Sequence, residues 1–277
     1  MTTISASTKK AYENAMKQLR TLTTASPTNV EEIKKSVEAS SYSDSTRTVI
    51  YCAVKSLHSA ELSEAQTEQY RALIKTLMDK KKAQPPQVAT ETQKEKMMTW
   101  ADVIKVRESL KEKVNDYYSA RDYMMLCLYT MFPPRRLEYS TMKVAQTAPE
   151  EPKENTFVLE PPTFIFVEYK TAKNYGTQRF PVPHDLAEVL KDFMKRWNQS
   201  TSFLFSGLTG NHSYGTRLIS LFKRETGKGL GVSMLRHIYI TKMREGETPL
   251  SVQRDIASKM GHSIEKSMEY RFVDDED

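Results

Sequence analysis

The C-terminal part of the chain carries four side chains whose types and spacing suit chemistry at a phosphate. Arg236 and His237 are adjacent, His262 lies 26 residues after Arg236, and Tyr270 follows eight residues later. A tyrosine hydroxyl has an ordinary pKa of about 10, so it needs a positively charged, hydrogen-bonding site before it attacks as a nucleophile. These residues together are suited to covalent attack on a phosphodiester.

An arginine pair upstream is the first expected partner of that tyrosine. Residues 123–132 are almost wholly apolar, which predicts a buried helix that ends at Pro133-Pro134, because proline cannot propagate a helix. A rigid turn at this point can hold the guanidinium of Arg135 in one orientation, and Glu138 can orient it from behind. Taken alone, the Arg135-Arg136 pair is equally consistent with a solvated surface.

A lysine at the end of a predicted strand is the second expected partner. Residues 157–160, 163–169 and 177–183 alternate in the manner of strands, and the segment 174–176 supplies a turn. Lys170 then lies at the point where a strand ends and a hairpin begins. From there its ammonium can reach a phosphate and the oxygen that leaves this phosphate. Lys173 is only three residues away and is the alternative to Lys170.

Helical periodicity dominates the rest of the chain. Four short helices are predicted within residues 1–80, an extended basic linker within 81–97, and a second domain over 98–277 that opens with a helix capped at Thr99. Further helices are predicted at 186–197, 216–225, 234–243 and 251–259, with a last one that carries Tyr270. The fold class expected is α+β, mainly helical, with a small antiparallel sheet.

Composition favours a nucleic-acid partner. The formal net charge is +6 and the isoelectric point about 9.0, so the surface favours an anionic partner. Cys52 and Cys127 lie far apart inside apolar runs, which argues against a disulfide framework or a zinc site. The N-terminal residues lack a secretory pattern and no run reaches the length of a membrane span, so an intracellular setting is expected.

In order and rough spacing these segments resemble the tyrosine recombinases, or phage-integrase family. Residues 133–139 (PPRRLEY) resemble the first arginine box, in which an acidic residue follows the arginine by three positions. Residues 169–173 (YKTAK) resemble the β-hairpin lysine segment, Leu235-Arg236-His237 the second arginine box, and Gly261-His262-Ser263 the last histidine box. Tyr270 matches the family's nucleophile. The amino-acid sequences of the first two segments resemble those of recombinases from eukaryotic mobile elements and large DNA viruses or their satellites.

The resemblance implies a site-specific recombinase that cleaves and rejoins DNA through a 3′-phosphotyrosine. Arg135, Lys170, Arg236 and His262 would be catalytic beside Tyr270, with no metal or cofactor. The N-terminal helical module would be a core-binding domain that clamps double-stranded DNA at a specific site, and a homo-tetramer would act on two synapsed sites. A type IB topoisomerase and a catalytically inactive DNA-binding protein of the same fold are the alternatives.

Two departures from the family's pattern bear on this expectation. Ser233 stands three residues before Arg236, where most members have a histidine or lysine, and a hydroxyl cannot take up a proton near neutral pH. Only seven residues follow Tyr270, so exchange of a C-terminal helix between protomers is not expected. His237, which follows the second arginine on a predicted helix, is expected to be structural rather than catalytic.

Overall fold

Four helices form the N-terminal part of the chain in the computed structural model, which describes residues 4, 6–83, 89–198, 202–208, 210–246, 248–268 and 270. They confirm the four helices predicted from periodicity, at α1 (Ala6–Leu22), α2 (Val30–Glu38), α3 (Asp44–Leu57) and α4 (Glu64–Lys82). Asn29, Ser43 and Ser63 cap the last three by accepting a hydrogen bond from an amide in the first turn. Tyr70 packs fully buried in their core and donates its hydroxyl to the Pro27 carbonyl at 2.8 Å.

The chain divides into two compact units, Met1–Pro85 and Pro86–Asp277. A short helix, α5 (Glu91–Lys96), occurs where an extended linker was predicted, and residues 84–88 of that segment lie outside the described residues. The helix forms because Thr90 and Gln93 make a reciprocal capping box. Ala89 is buried in the core of the second unit.

Helices of the second unit confirm most of the predicted ones. Thr99 caps the first of them as expected, by accepting from the Asp102 amide. The last helix was predicted to carry Tyr270, and this prediction is wrong: the final described helix ends at Met268, and Tyr270 lies in a turn beyond it. The helices are α6 (Trp100–Glu112), α7 (Tyr117–Thr130), α8 (Ala172–Tyr175), α9 (His184–Trp197), α10 (Asn211–Thr226), α11 (Val232–Met243), α12 (Leu250–Lys259) and α13 (Ile264–Met268).

Four short strands form one sheet in the order β1-β2-β3-β4. The strands are β1 (Lys143–Ala145), β2 (Thr156–Val158), β3 (Thr163–Phe166) and β4 (Gln178–Pro181). The last three pair antiparallel, as predicted, but β1 was not predicted and pairs parallel with β2, so the sheet is mixed rather than antiparallel. The expected fold class, α+β and mainly helical, is confirmed.

Strand β3 stops three residues earlier than the sequence predicted. The side chain of Asn155 accepts hydrogen bonds from the amides of Val167 and Glu168, both at 2.9 Å, in place of a neighbouring strand. Its amide nitrogen donates to the carbonyls of Glu138 and Glu168. Lys170 therefore lies in a loop between β3 and α8 and not at a strand end, because one buried amide takes over the backbone pairing there.

Asp122, on α7, is a buried carboxylate that pairs with two arginines of α10. This carboxylate is 1% exposed and accepts from Arg217 at 2.6 and 2.8 Å and from Arg224 at 3.1 Å. The helix that carries it is buried along most of its length, and the neighbouring Arg121 is also buried and lies 3.8 Å from the same carboxylate. The bonds to Asp122 therefore join α7 to α10 through the interior of the second unit.

We expect Asp122→Asn to lower the free energy of unfolding of the second unit by about 3 kcal/mol, because the arginines would lose their counter-charge. Asp192→Asn is the matched control: Asp192 pairs with Arg196 on an exposed surface, and its loss should cost less than about 1 kcal/mol. Denaturant unfolding followed by tryptophan fluorescence measures this, since both tryptophans of the chain belong to the second unit. Equal losses for the two variants would contradict the assignment.

Candidate active site

Arg135 is held rigidly directly after the proline pair that ends α7. Its side chain is fully buried, and one terminal nitrogen donates to the Lys259 carbonyl at 2.9 Å and to Gln178 at 3.1 Å. The guanidinium lies 3.8 Å from the centroid of the Phe166 ring, a cation–π contact. The end of α12 and the edge strand β4 thus fix the orientation of this arginine.

Arg236 is held in the same way from α11. It is 2% exposed and donates to the Pro134 carbonyl at 2.7 Å and to the Met260 carbonyl at 3.0 Å. Arg135 follows Pro134, and its acceptor at Lys259 precedes Met260. Two arginines that are 101 positions apart in the chain are therefore anchored by the same two backbone segments.

Glu138, expected to orient Arg135, makes no hydrogen bond to it. One of its carboxylate oxygens is buried without a hydrogen-bond partner among the described residues. Burial lowers the pKa of Arg135, and the nearby charge of Glu138 partly opposes that effect. Gln178 and the Lys259 carbonyl provide the orientation instead, which the sequence did not indicate because both come from distant segments.

Gly261 lets the histidine segment approach Arg135. Its φ of 72° lies in the left-handed region, and a Cβ atom at this position would be 2.8 Å from a terminal nitrogen of Arg135. Its carbonyl accepts the hydroxyl of Thr171 at 2.8 Å, which connects the Lys170 loop to this segment. Only glycine satisfies both the backbone angle and the space.

His262 presents one unpartnered nitrogen to the interior of the site. The side chain is 7% exposed, and Nδ1 donates to the Ser263 carbonyl at 3.0 Å while Nε2 is buried without a partner among the described residues. Burial first, and then the charge of Arg236, lowers the pKa of His262 to about 4. The imidazole is therefore neutral at pH 7, with Nε2 free to bind a ligand.

Tyr270 is packed among these residues. Its ring stacks on His262 with centroids 5.5 Å apart, and the guanidinium of Arg236 lies 4.9 Å from its centroid. Its carbonyl accepts Nδ1 of His237 at 2.8 Å, so His237 anchors the backbone of the tyrosine. Its phenol oxygen accepts a hydrogen bond from Arg136 at 3.2 Å, a contact that the sequence gave no reason to expect.

The ionisation of Tyr270 follows from this environment. Burial alone would raise the pKa of the phenol, but the positive charges of Arg236 and Arg136 outweigh burial and lower it below its ordinary value of 10.0. A nearby cation stabilises a phenolate by direct Coulomb attraction. The side chain is thus more acidic than a tyrosine in water.

The remaining predicted residues lie at the surface around this cluster. Lys170, Lys173 and Ser233 are exposed, with Lys173 in α8 and Ser233 in the first turn of α11. Neither lysine makes a hydrogen bond or ion pair with another residue that the structure describes. The structure therefore brings together Arg135, Arg236, His262 and Tyr270, and leaves the two lysine ammoniums free to reach a ligand.

Unsatisfied donors mark the site as one for an anion. Two nitrogens of Arg135 and one of Arg236 are buried without hydrogen-bond partners among the described residues. Nε2 of His262 also lacks a partner, but in the neutral imidazole it is an acceptor, because Nδ1 carries the proton. Buried polar groups are normally satisfied, and no carboxylate in the described part of the chain hydrogen-bonds to either arginine. An anion with several oxygens, such as a phosphate, would satisfy these donors and compensate the charge.

We expect Gly261→Ala to destabilise the second unit by about 2–4 kcal/mol, because it adds a collision with Arg135 to the strain of the backbone angle. Gly227→Ala is the matched control: Gly227 has a φ of 75° and no atom within 4 Å of a Cβ, so it should lose only about 1 kcal/mol. Tryptophan-monitored unfolding compares the two. A loss at Gly261 no larger than that at Gly227 would show that Arg135 can move away.

The buried imidazole of His262 predicts a pH dependence of stability. Its folded pKa of about 4 lies below the ordinary value of 6.5, so acid protonates the unfolded chain first. The free energy of unfolding should fall between pH 6.5 and 4, by an amount on the order of 3 kcal/mol. His262→Asn should flatten the curve in this window, whereas His184→Asn, at an exposed histidine, should leave it unchanged. Coincident curves for wild type and His262→Asn would contradict the shift.

Comparison with known proteins identifies the fold. No protein-family model and no curated protein sequence matches the chain. The Tn1549 transposon integrase in complex with transposon right end DNA matches with a TM-score of 0.60 at 14% identity, over 97% of this chain and 90% of that one. The same integrase in complex with circular intermediate DNA matches with a TM-score of 0.52 at 14% identity, over 98% of this chain and 91% of that one. The XerA recombinase matches with a TM-score of 0.48 at 15% identity, over 98% of this chain and 89% of that one. The chain has the fold of the tyrosine recombinases and integrases, as its motifs predicted.

Proposed function

We propose that this protein is a site-specific DNA recombinase, an integrase of a mobile element or virus. It would cleave and rejoin DNA strands through a 3′-phosphotyrosine at Tyr270. One observation carries the proposal: the phenol of Tyr270 is packed against Arg236 and His262, where buried donors lack partners. A nucleophile beside an incomplete anion site is the arrangement that attack on a phosphodiester requires.

The arginines would bind the scissile phosphate. Planar, permanently charged guanidiniums suit the two nonbridging oxygens, and both Arg135 and Arg236 retain unpartnered nitrogens for them. In other enzymes an arginine that stabilises a transferred phosphoryl group contributes on the order of 10³ to 10⁵ in rate. His262 would donate from Nε2 to the same phosphate in the transition state, once the negative charge of the bound phosphate has favoured protonation of the imidazole.

Cleavage would then be an in-line exchange of phosphate esters. The oxygen of Tyr270 forms a bond to phosphorus while the bond from phosphorus to the 5′ oxygen breaks. Lys170, or Lys173 three residues later, would protonate the departing oxygen, since both ammoniums are exposed and unpaired among the described residues. The tyrosyl ester preserves the energy of the phosphodiester, so the 5′ hydroxyl of a partner strand can reseal it without ATP.

The N-terminal unit would contribute binding to the DNA backbone. Arg71, Lys75 and Lys82 are exposed on α4 and, with Lys55, line a depression of 280 Å³ in which Asp79 is the only acid among its described lining residues. Contacts of lysine and arginine with phosphates make affinity strongly dependent on salt. Recombination of two sites would further require a homo-tetramer on synapsed double-stranded DNA.

Two alternatives share this fold. A type IB topoisomerase would use the same nucleophile but relax supercoils without exchanging strands between duplexes, so a strand-exchange assay separates it from a recombinase. An inactive DNA-binding protein is favoured by Ser233, which replaces a proton acceptor of the family's pattern. The charges of Arg236 and Arg136 lower the pKa of Tyr270, which argues against inactivity, because a more acidic phenol depends less on a general base.

A nicked duplex tests the assignment of Tyr270. DNA fragments that the protein selects from a random pool are rebuilt with nicks at successive positions, so that cleavage releases a short strand and traps the covalent adduct. We expect wild type to form an adduct and Tyr270→Phe to form none. Tyr118→Phe, at an exposed tyrosine of α7, should match wild type.

Denaturing electrophoresis with labelled DNA measures the adduct. An undiminished adduct with Tyr270→Phe would transfer the nucleophile to another residue. The absence of any adduct with wild type on DNA that it binds would favour the inactive DNA-binding protein.

A further inference from the structure

Arg136 contacts the atom that would react. Its guanidinium donates to the phenol oxygen of Tyr270 at 3.2 Å across 134 positions of sequence. The backbone of Arg136 is fixed, since its carbonyl accepts the hydroxyl of Tyr129 at 2.6 Å. The side chain itself is exposed, unlike those of Arg135 and Arg236. An exposed guanidinium on a fixed backbone can keep its hydrogen bond while the phenol oxygen moves towards a substrate.

The described titratable side chains that contact Tyr270 are cationic arginines and neutral histidines. Arg236 and His237 face it from α11, His262 from the segment after α12, and Arg136 from the segment after α7. Burial lowers the pKa of both histidines, so they are neutral at pH 7. No carboxylate in the described part of the chain hydrogen-bonds to the phenol. The two arginines therefore determine the electrostatic environment of the oxygen.

The absence of a basic side chain at position 233 makes this positive environment important for Tyr270. Ser233 stands three residues before Arg236, where a serine hydroxyl cannot accept a proton near neutral pH. The Nδ1 proton of His237 is committed to the Tyr270 carbonyl. Without a basic side chain at position 233, ionisation of the phenol must be favoured in another way. Cations close to the oxygen provide it by stabilising the anion.

The two arginines differ in what they can do for the nucleophile. Arg236 is 2% exposed and already donates to the carbonyls of Pro134 and Met260. Its Nε is buried without a hydrogen-bond partner among the described residues and remains available to an anion. Among the described residues, the side chain of Arg136 donates a hydrogen bond to Tyr270 alone. Arg236 therefore acts on both the phenol and the anion site, whereas Arg136 acts on the phenol through its hydrogen bond and its charge.

We propose that Arg136 is a catalytic residue that activates Tyr270 by stabilising its phenolate, in place of a general base at position 233. This inference rests on the proposed function. The phenol releases its proton to water, the phenolate oxygen forms the bond to phosphorus, and the 5′ oxygen leaves with the proton of a lysine ammonium. Arg136 transfers no proton, because a guanidinium stays charged throughout.

The first measurement follows the ionisation of Tyr270 in the free protein. The near-ultraviolet absorbance of phenolate is titrated in each protein and in the same protein carrying Tyr270→Phe, and the difference isolates one tyrosine among the 14. Arg136→Gln keeps a hydrogen-bond donor but removes the charge, so the pKa of Tyr270 should rise. Arg136→Lys should restore most of the wild-type value. Arg196→Gln, at an exposed arginine paired with Asp192, should change nothing.

The second measurement is single-turnover cleavage of a nicked duplex at saturating DNA, as a function of pH. Arg136→Gln should cleave about tenfold more slowly at pH 7 for each unit by which the pKa of Tyr270 rises. Its rate should approach that of wild type at high pH, where the phenol ionises without help. Arg136→Lys should show a pH profile close to that of wild type.

Three results would overturn the proposal, and they are distinguishable from one another. If wild type forms the adduct and Arg136→Gln cleaves with an unchanged pH profile, while binding DNA more weakly, Arg136 is a contact to the DNA backbone. If wild type forms no adduct on DNA that it binds, the proposed function fails and the catalytic role of Arg136 fails with it. A pKa of Tyr270 unaltered by Arg136→Gln also rejects the role.

Discussion

The burial of two guanidiniums side by side is the constraint on which the site depends. Removing a charged group from water costs several kcal/mol, and neither Arg135 nor Arg236 is paired with a carboxylate among the described residues. Backbone carbonyls at Pro134, Lys259 and Met260 take up part of their donors, and the rest stay unsatisfied. The folded chain thus has buried positive charge without a counter-charge, and a bound anion would supply that counter-charge. A bound phosphate would stabilise the protein as well as be held by it.

The same carbonyls determine the geometry. Arg236 binds the Pro134 carbonyl after α7 and the Met260 carbonyl after α12, and Arg135 binds the Lys259 carbonyl. The two segments therefore lie together, and Gly261 provides the space for this approach. His262 and Tyr270 follow within ten residues and are delivered to the arginines by that packing. The Lys170 loop is attached through Thr171 to the same glycine. Rigid backbone therefore surrounds the anion site, while the lysines remain at its exposed rim.

Positive charge, and not a base at position 233, governs the ionisation of Tyr270. A serine at position 233 offers no base, yet the phenol of Tyr270 is more acidic than usual because Arg236 and Arg136 lie close to it. Preorganised charge requires no rearrangement during the reaction. His237 contributes differently, by holding the backbone of Tyr270, which agrees with the structural role that its position on a helix predicted. The consequence is that the positive charge of the cluster stays uncompensated, with donors of Arg135 and Arg236 unsatisfied, until an anion binds.

The sequence by itself determined most of the helices, the fold class and the positions of the motif residues. Apolar periodicity and capping residues are local signals, and the end of α7 follows from two prolines. The parallel strand β1 was missed because three residues at a sheet edge carry no alternation, and α5 because a six-residue helix depends on one capping box. The bonds of Arg135 to Gln178 and Lys259, the early end of β3 at Asn155 and the contact of Arg136 with Tyr270 came only from the tertiary structure. Each joins residues distant in the chain, and residue type and spacing do not encode which donor meets which acceptor once the elements pack.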